Sequence, residues 1–300
     1  MTDNGFPRLF CFGLGYSAER LAKSVLADGW TVAGTCQTPA RQAELQDLGI
    51  DAHMFGPEQP LADAGAALSS ATHLLSSVPP VNDEEETGDP VLQRHQADIR
   101  ALGSLQWAGY LSSTGVYGDW DGALVDETSA LKPTSGRSRK RARAEAGWLA
   151  LESGHGVPVH VFRLSGIYGP GRSALDQVRA GRAKRIEKPG HLFSRVHVDD
   201  IVQVLRASME KPRPGAVYNA ADDEPAAAAD VTAFACEILN VEPPEPVPFA
   251  DAAKEMSEMG LSFWRDNRLV DNSLIKKELG VRLLYPDYRK GLKAVLGEGG

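Results

Sequence analysis

Apolar residues fall in short runs separated by longer stretches of mixed pattern. Leu9–Phe12 is the first run, and a Gly-x-Gly turn follows it directly. From Glu19 to Leu26 the pattern changes: Leu21, Ala22, Val25 and Leu26 share one helical face. Further strand-length runs occupy Trp30–Thr35, Ile50–Phe55, Thr72–Val78, Trp107–Ser113 and Val157–Leu164. Pro79-Pro80 stops the fourth, and a helical pattern covers about Val91–Leu105. Strands separated by helical stretches predict right-handed βαβ units and a parallel sheet. The fold class expected is a Rossmann-like, doubly wound α/β sheet with a small mixed C-terminal lobe.

Beyond Gly171 the pattern is less regular. Val198–Met209 reads as helix, Ala216–Asn219 as strand and Asp230–Leu239 as helix. Pro243–Pro248 reads as an extended connector, and Leu274–Leu279 and Tyr288–Leu296 as closing helices. The expected division places a dinucleotide-binding core at 1–170. The mixed region is 171–300, which returns to the core at about 196–222 and otherwise forms a substrate lobe.

The first strand carries the candidate chemistry. Gly13-Leu14-Gly15-Tyr16-Ser17-Ala18 is Gly-x-Gly-x-x-Ala between a strand and a helix. Gly13 permits the tight turn, Gly15 lets backbone approach a pyrophosphate, and Ala18 lets the helix pack closely. With Tyr16 and Ser17 they form the candidate phosphate cradle at a helix N-terminus. The alternative is a tight turn with no ligand. An acidic residue closing the second strand would hold a ribose and repel a 2′-phosphate. Here the region reads Thr35-Cys36-Gln37, with no acid. Thr35, Gln37 and Arg41 are therefore candidate contacts to that phosphate, favouring NADP over NAD. The alternative for Arg41 is a solvated charge in the next helix. Ser77 and Val78, after the fourth strand, are candidate cofactor neighbours.

Bulk properties narrow the class. The 300 residues are 42% hydrophobic, enough for a sizeable core, and the net charge of −8 argues against general nucleic-acid affinity. Cys11, Cys36 and Cys236 are too scattered for a disulfide framework or a Cys-x-x-Cys metal site. Cys11 reads as a buried thiol. Asp83-Glu84-Glu85-Glu86 lacks the alternation of a metal loop and reads as solvated. No signal peptide or membrane-spanning run is evident, so a cytoplasmic protein without membrane partners is expected.

Four stretches together resemble a family. They are Phe-Gly-Leu-Gly-Tyr-Ser-Ala at 12–18, Leu-Ser-Ser-Thr-Gly-Val-Tyr-Gly at 111–118, Arg-Leu-Ser-Gly-Ile-Tyr-Gly-Pro-Gly at 163–171 and Arg-Val-His-Val-Asp-Asp-Ile at 195–201. In order and spacing the chain resembles the extended short-chain dehydrogenase/reductase superfamily, which includes NAD-dependent epimerases and dehydratases. More narrowly it resembles an atypical subgroup. The resemblance implies an oxidoreductase or epimerase-like activity on a small, sugar-derived substrate, with a homodimer as the assembly to consider. It places Ser113 at the family's catalytic hydroxyl position, able to donate to a developing alkoxide, and Tyr117 near substrate. Ser113 can equally be a strand-end serine, and Tyr117 a packing residue. His197 and Asp199-Asp200 match a stretch read as structural.

The resemblance breaks at the proton donor. The family uses Tyr-x-x-x-Lys; here the matching helix places Arg137 and Arg141, or Gly136 and Lys140 in the neighbouring register. No tyrosine in the chain has a lysine four residues later. Arginine stays protonated and cannot shuttle a proton at neutral pH, though Arg141 can still hold cofactor. The Asp-Glu pair of the 4,6-dehydratases is replaced by Thr114-Gly115. The basic run Arg137–Arg143 reads as a solvated or cofactor-facing helix rather than a nucleic-acid patch. Tyr117, Tyr168 and a bound water remain as proton donors. The rival reading is a non-catalytic NADP(H)-binding sensor or scaffold.

Overall fold

The computed structural model describes residues 7–56, 58–81 and 88–298, so the acidic run at 83–86 lies outside the described residues. Seven strands form one sheet: β1 (Arg8–Phe12), β2 (Thr31–Cys36), β3 (Asp51–Met54), β4 (His73–Ser76), β5 (Trp107–Ser113), β6 (Val159–Leu164) and β7 (Val217–Ala220). Their order is β7-β6-β5-β4-β1-β2-β3. The winding starts at β1, runs outward through β2 and β3, then crosses to β4 on the other side. In open α/β sheets the ligand crevice lies at such a reversal, here outside the carboxyl ends of β1 and β4. Register fixes those ends side by side, with Phe10 opposite Ala33 of β2 and Leu74 of β4.

Helices α1 (Tyr16–Ala27), α2 (Pro39–Asp47), α3 (Ala64–Leu68), α4 (Pro90–Arg100), α5 (Gly136–His155) and α6 (Val198–Glu210) flank the sheet. The expected helix at Val91–Leu105 stops at Arg100. Gly103 follows, and the Ser104 hydroxyl donates to Ala71 O at 2.8 Å, drawing the chain back toward the sheet. Side chains alternate along β1. Phe10 and Phe12 join Leu74, Tyr110, Val159 and Val161 in one core cluster with Val91 and Ile99 of α4 and Trp148 of α5. Cys11 is buried in the same strand, as expected, and burial pushes its thiol up.

Contacts divide the chain into two compact units. The first comprises Met1–Ser113, Arg139–Arg163 and Val204–Tyr218; the second comprises Thr114–Ser138, Leu164–Gln203 and Asn219–Gly300. The second unit contains helices such as Ala228–Ile238 and Tyr288–Glu298, and three two-stranded parallel pairs. One pair joins Pro246–Pro248 to Arg185–Glu187, so the end of the proline-rich connector is a short strand. Its larger core cluster gathers Tyr168, Leu175, Val231, Tyr288 and Leu292. Among the described residues no helix is long and apolar enough to cross a membrane.

Candidate functional site

The turn after β1 is held from both neighbouring strands. Gly13 adopts φ +81°, a conformation that costs an L-residue strain. Its N–H donates to Thr35 Oγ1 at 2.8 Å, and Leu14 N–H donates to Thr35 O at 2.8 Å. From β4's side, the Ser77 hydroxyl donates to Gly13 O at 2.5 Å and Ser77 N–H donates to Phe12 O at 2.9 Å. A Cβ on Gly13 would sit 3.0 Å from Ser77 Oγ and 3.1 Å from Val78 Cγ2. Thus Thr35, Ser77 and Val78, three candidates chosen from sequence, pack around the turn itself. Thr35 is 1% exposed, so its hydroxyl is a fixture of the turn.

Gly15 differs. It caps α1 with φ −85° and ψ −169°, no side chain caps the helix, and a Cβ built there meets nothing within 4 Å. Glycine brings no side chain of its own to the cap, and space lies open at Gly15. Ala18 is fully buried, Ser17 buried and Tyr16 half-buried. Sequence reasoning passed over Gly34. A Cβ there would lie 2.7 Å from both Cys11 O and Leu14 Cδ1, so this strand glycine lets Leu14 tuck beneath the turn. A glycine inside a strand is the available signal for such close approach.

At the end of β2, Gln37 is exposed. Thr38 Oγ1 accepts the N–H of Arg41 at 3.2 Å and caps α2. The Arg41 guanidinium lies against Glu44 Oε2 at 2.8 Å and against Glu19 of α1. Glu19 also pairs with Lys23 at 2.5 Å. Burial pushes the Glu19 carboxyl up, but its bonds to Lys23 and Arg41 outweigh that and hold it below its ordinary value. These carboxylate partners of Arg41 were not read from the sequence.

The end of β5 is gripped by α5. Arg141 donates to Leu111 O at 2.9 Å and to the Tyr110 hydroxyl at 3.2 Å. One helical turn on, Glu145 accepts the Ser112 hydroxyl and pairs with Arg163 of β6 at 2.9 Å. Both members of that ion pair are buried, Glu145 at 2% exposure and Arg163 at 5%. Ser113 ends β5 half-buried. Alternation directs its side chain away from the Ser112 side.

No family model matches this chain. A solved structure described as a functionally unknown conserved protein, from Silicibacter pomeroyi DSS, is 44% identical. The match covers 97% of this chain and 99% of that one, with a TM-score of 0.88. The chain belongs to that protein's family. Protein YeeZ of Escherichia coli K12 is 29% identical over 282 residues, covering 92% of this chain and 95% of YeeZ. A UDP-glucuronic acid 4-epimerase from Bacillus cereus, solved with UDP-glucuronic acid and NAD, is 16% identical. It covers 97% of this chain and 98% of its own, with a TM-score of 0.78. The chain shares the fold of that epimerase.

Within that fold, the two tyrosines considered as proton donors lie in the second unit. Tyr117 is fully buried, and its hydroxyl donates to Asn219 Oδ1 at 2.8 Å. The ring packs with Val125, Ala221 and Val270. Tyr168 is 7% exposed, and burial drives its phenol well above the ordinary range. Its hydroxyl lies where a Cβ on Gly291 would approach to 2.0 Å, so it is packed against the closing helix. Buried Tyr110 of β5 is likewise pushed up by burial. His197 Nδ1 accepts the Asp199 N–H at 3.2 Å, consistent with a structural role at the start of α6. Among the described residues no group of three His, Cys, Asp or Glu stands ready to hold a metal.

Proposed function

We propose that this chain binds NADP or NAD at the Gly13–Ala18 turn and works as an oxidoreductase or epimerase-like enzyme on a small, sugar-derived substrate. One observation carries the reading. At the point where the sheet reverses its winding, an α-helix starts at a glycine that supplies no capping side chain, with open space at Gly15. That environment fits a pyrophosphate, because backbone N–H groups and the positive dipole end both favour an anion there. The NAD in the Bacillus cereus epimerase lends support by fold analogy.

Each residue's part follows from its place. Gly15, Tyr16, Ser17 and Ala18 would receive the phosphates through the first turn of α1. Ser77 and Val78 would wall the dinucleotide beside Gly13, and Gln37 and Arg41 would meet the adenosine ribose. Thr35 supports them by holding the turn. Arg141, with Leu111 O and Tyr110 already engaged, would add positive charge near the strand end. The bound nicotinamide would supply hydride transfer. The Ser113 hydroxyl would donate a hydrogen bond to the substrate oxygen as negative charge builds on it. The buried tyrosines leave the proton to pass through solvent.

The test is calorimetric titration of cofactor-stripped protein with NADPH and NADH. Saturable binding of either supports the reading, and a folded sample that binds neither overturns it. The burial of Tyr117 favours a second reading, a dinucleotide-binding sensor or scaffold without turnover. A protein that binds cofactor yet neither turns it over nor converts any member of a panel of sugar nucleotides would establish that alternative.

A further inference from the structure

Arg41 is the one cation that sequence reasoning offered to a 2′-phosphate, and it is already engaged. Its guanidinium sits between Glu19 of α1 and Glu44 of α2, and Glu19 is shared with Lys23. Two cations and two carboxylates leave this group without net charge. The carboxylates are not equivalent. The Glu44 side chain is 64% exposed and that of Glu19 only 22%, so Glu44 can swing into water while Glu19 stays on Arg41. Glu19 also stands in the first turn of α1, the helix whose N-terminus forms the candidate phosphate cradle. Thr35 offers no compensation, since it is buried at 1% exposure within the turn's support. Gln37 is exposed and neutral, and its amide suits ribose hydroxyls as well as a phosphate.

We propose that Glu19 is the specificity-determining residue for the dinucleotide: by holding Arg41 it suppresses recognition of a 2′-phosphate and narrows the preference for NADPH over NADH. The assignment rests on the cofactor reading above. A dianionic 2′-phosphate approaching this cluster gains the Arg41 charge only against the field of Glu19. A ribose with a free 2′-hydroxyl meets no such opposition. Removing the Glu19 charge therefore raises the affinity for NADPH more than that for NADH.

The experiment compares wild type with Glu19→Gln by calorimetry, using NADPH and NADH. In parallel it uses adenosine 2′,5′-bisphosphate and AMP, which isolate the ribose end. Expected is binding of NADPH and the bisphosphate about tenfold tighter in E19Q, with NADH and AMP within about twofold. The gain shrinks as salt is raised, as for any solvent-exposed charge. Glu44→Gln, removing the freely exposed carboxylate, gives a smaller gain. An unchanged NADPH-to-NADH ratio in E19Q, or a loss of NADPH affinity, overturns the assignment while leaving the cofactor reading intact. Failure of folded wild type to bind any of the four ligands overturns both.

Discussion

Thr35 Oγ1 accepts the backbone N–H of Gly13 at 2.8 Å, from β2 to the turn that follows β1. Thr35 is 1% exposed, so no water replaces the hydroxyl if it is removed. Thr35→Val keeps the shape and leaves Gly13 N–H without a partner, at a cost of about 1–3 kcal/mol. Thr35→Ser keeps the acceptor and loses only a methyl group, costing about 1 kcal/mol. Urea unfolding of the two variants reads the difference. Equal losses would show that the bond contributes nothing.

The two glycines of the turn separate backbone strain from ligand access. Gly13→Ala combines a positive φ with contacts near 3 Å to Ser77 and Val78, and is expected to destabilise by about 1–3 kcal/mol. Gly15→Ala has an ordinary φ and open space, so the melting temperature is expected to stay within a degree or two. Its side chain would nevertheless occupy the space assigned to a pyrophosphate. NADPH binding should therefore weaken in G15A despite an unchanged melt.

Asp222 supplies a pH dependence with a definite sign. It is 3% exposed and neither carboxylate oxygen has a hydrogen-bond partner. Arg195 donates instead to Phe193 O and Ala226 O, each at 2.9 Å. Burial pushes the Asp222 carboxyl up to about 8. The folded chain thus holds a proton that the unfolded chain releases near pH 4. The contribution to stability is full below about pH 4 and falls as pH rises through about 8. Buried His73 and His160, each lowered to about 4 by burial, act in the opposite direction: their stabilisation falls as pH drops below about 6.5. Asp222→Asn imitates the protonated acid, so its stability should decline less than wild type between pH 6 and 8.5 in thermal melts. Parallel declines would refute the assignment.

Glu145 and Arg163 form a buried pair that cannot lose one member cheaply. Glu145→Ala removes the carboxylate that the Arg163 guanidinium and the Ser112 hydroxyl share, with an expected loss of about 3–5 kcal/mol. Chemical denaturation measures it. A loss below about 1 kcal/mol would mean that solvent reaches Arg163 despite its 5% exposure.

The parallel sheet was legible because its strands are continuous apolar runs. Leu9–Phe12 and Trp107–Ser113 announce themselves without knowledge of their neighbours, and the Gly13–Ala18 turn is a local pattern. What escaped was set by residues distant in sequence. The strand at Leu269–Val270 is two residues long and exists because it pairs with Leu124–Val125. Tyr117 looked available until Asn219, 102 residues away, accepted its hydroxyl. Arg41 looked like an open cation because Glu19, 22 residues earlier, shows no periodic relation to it. Charge pairing between two helices leaves no trace in the hydrophobic pattern.

The bracing of Gly13 by Thr35 on one side and Ser77 on the other has a consequence in time. The turn's shape is complete before any ligand arrives, so binding need not order it. The Gly13 amide should then exchange with deuterated water slowly in the unliganded protein, and no more slowly once a dinucleotide is bound.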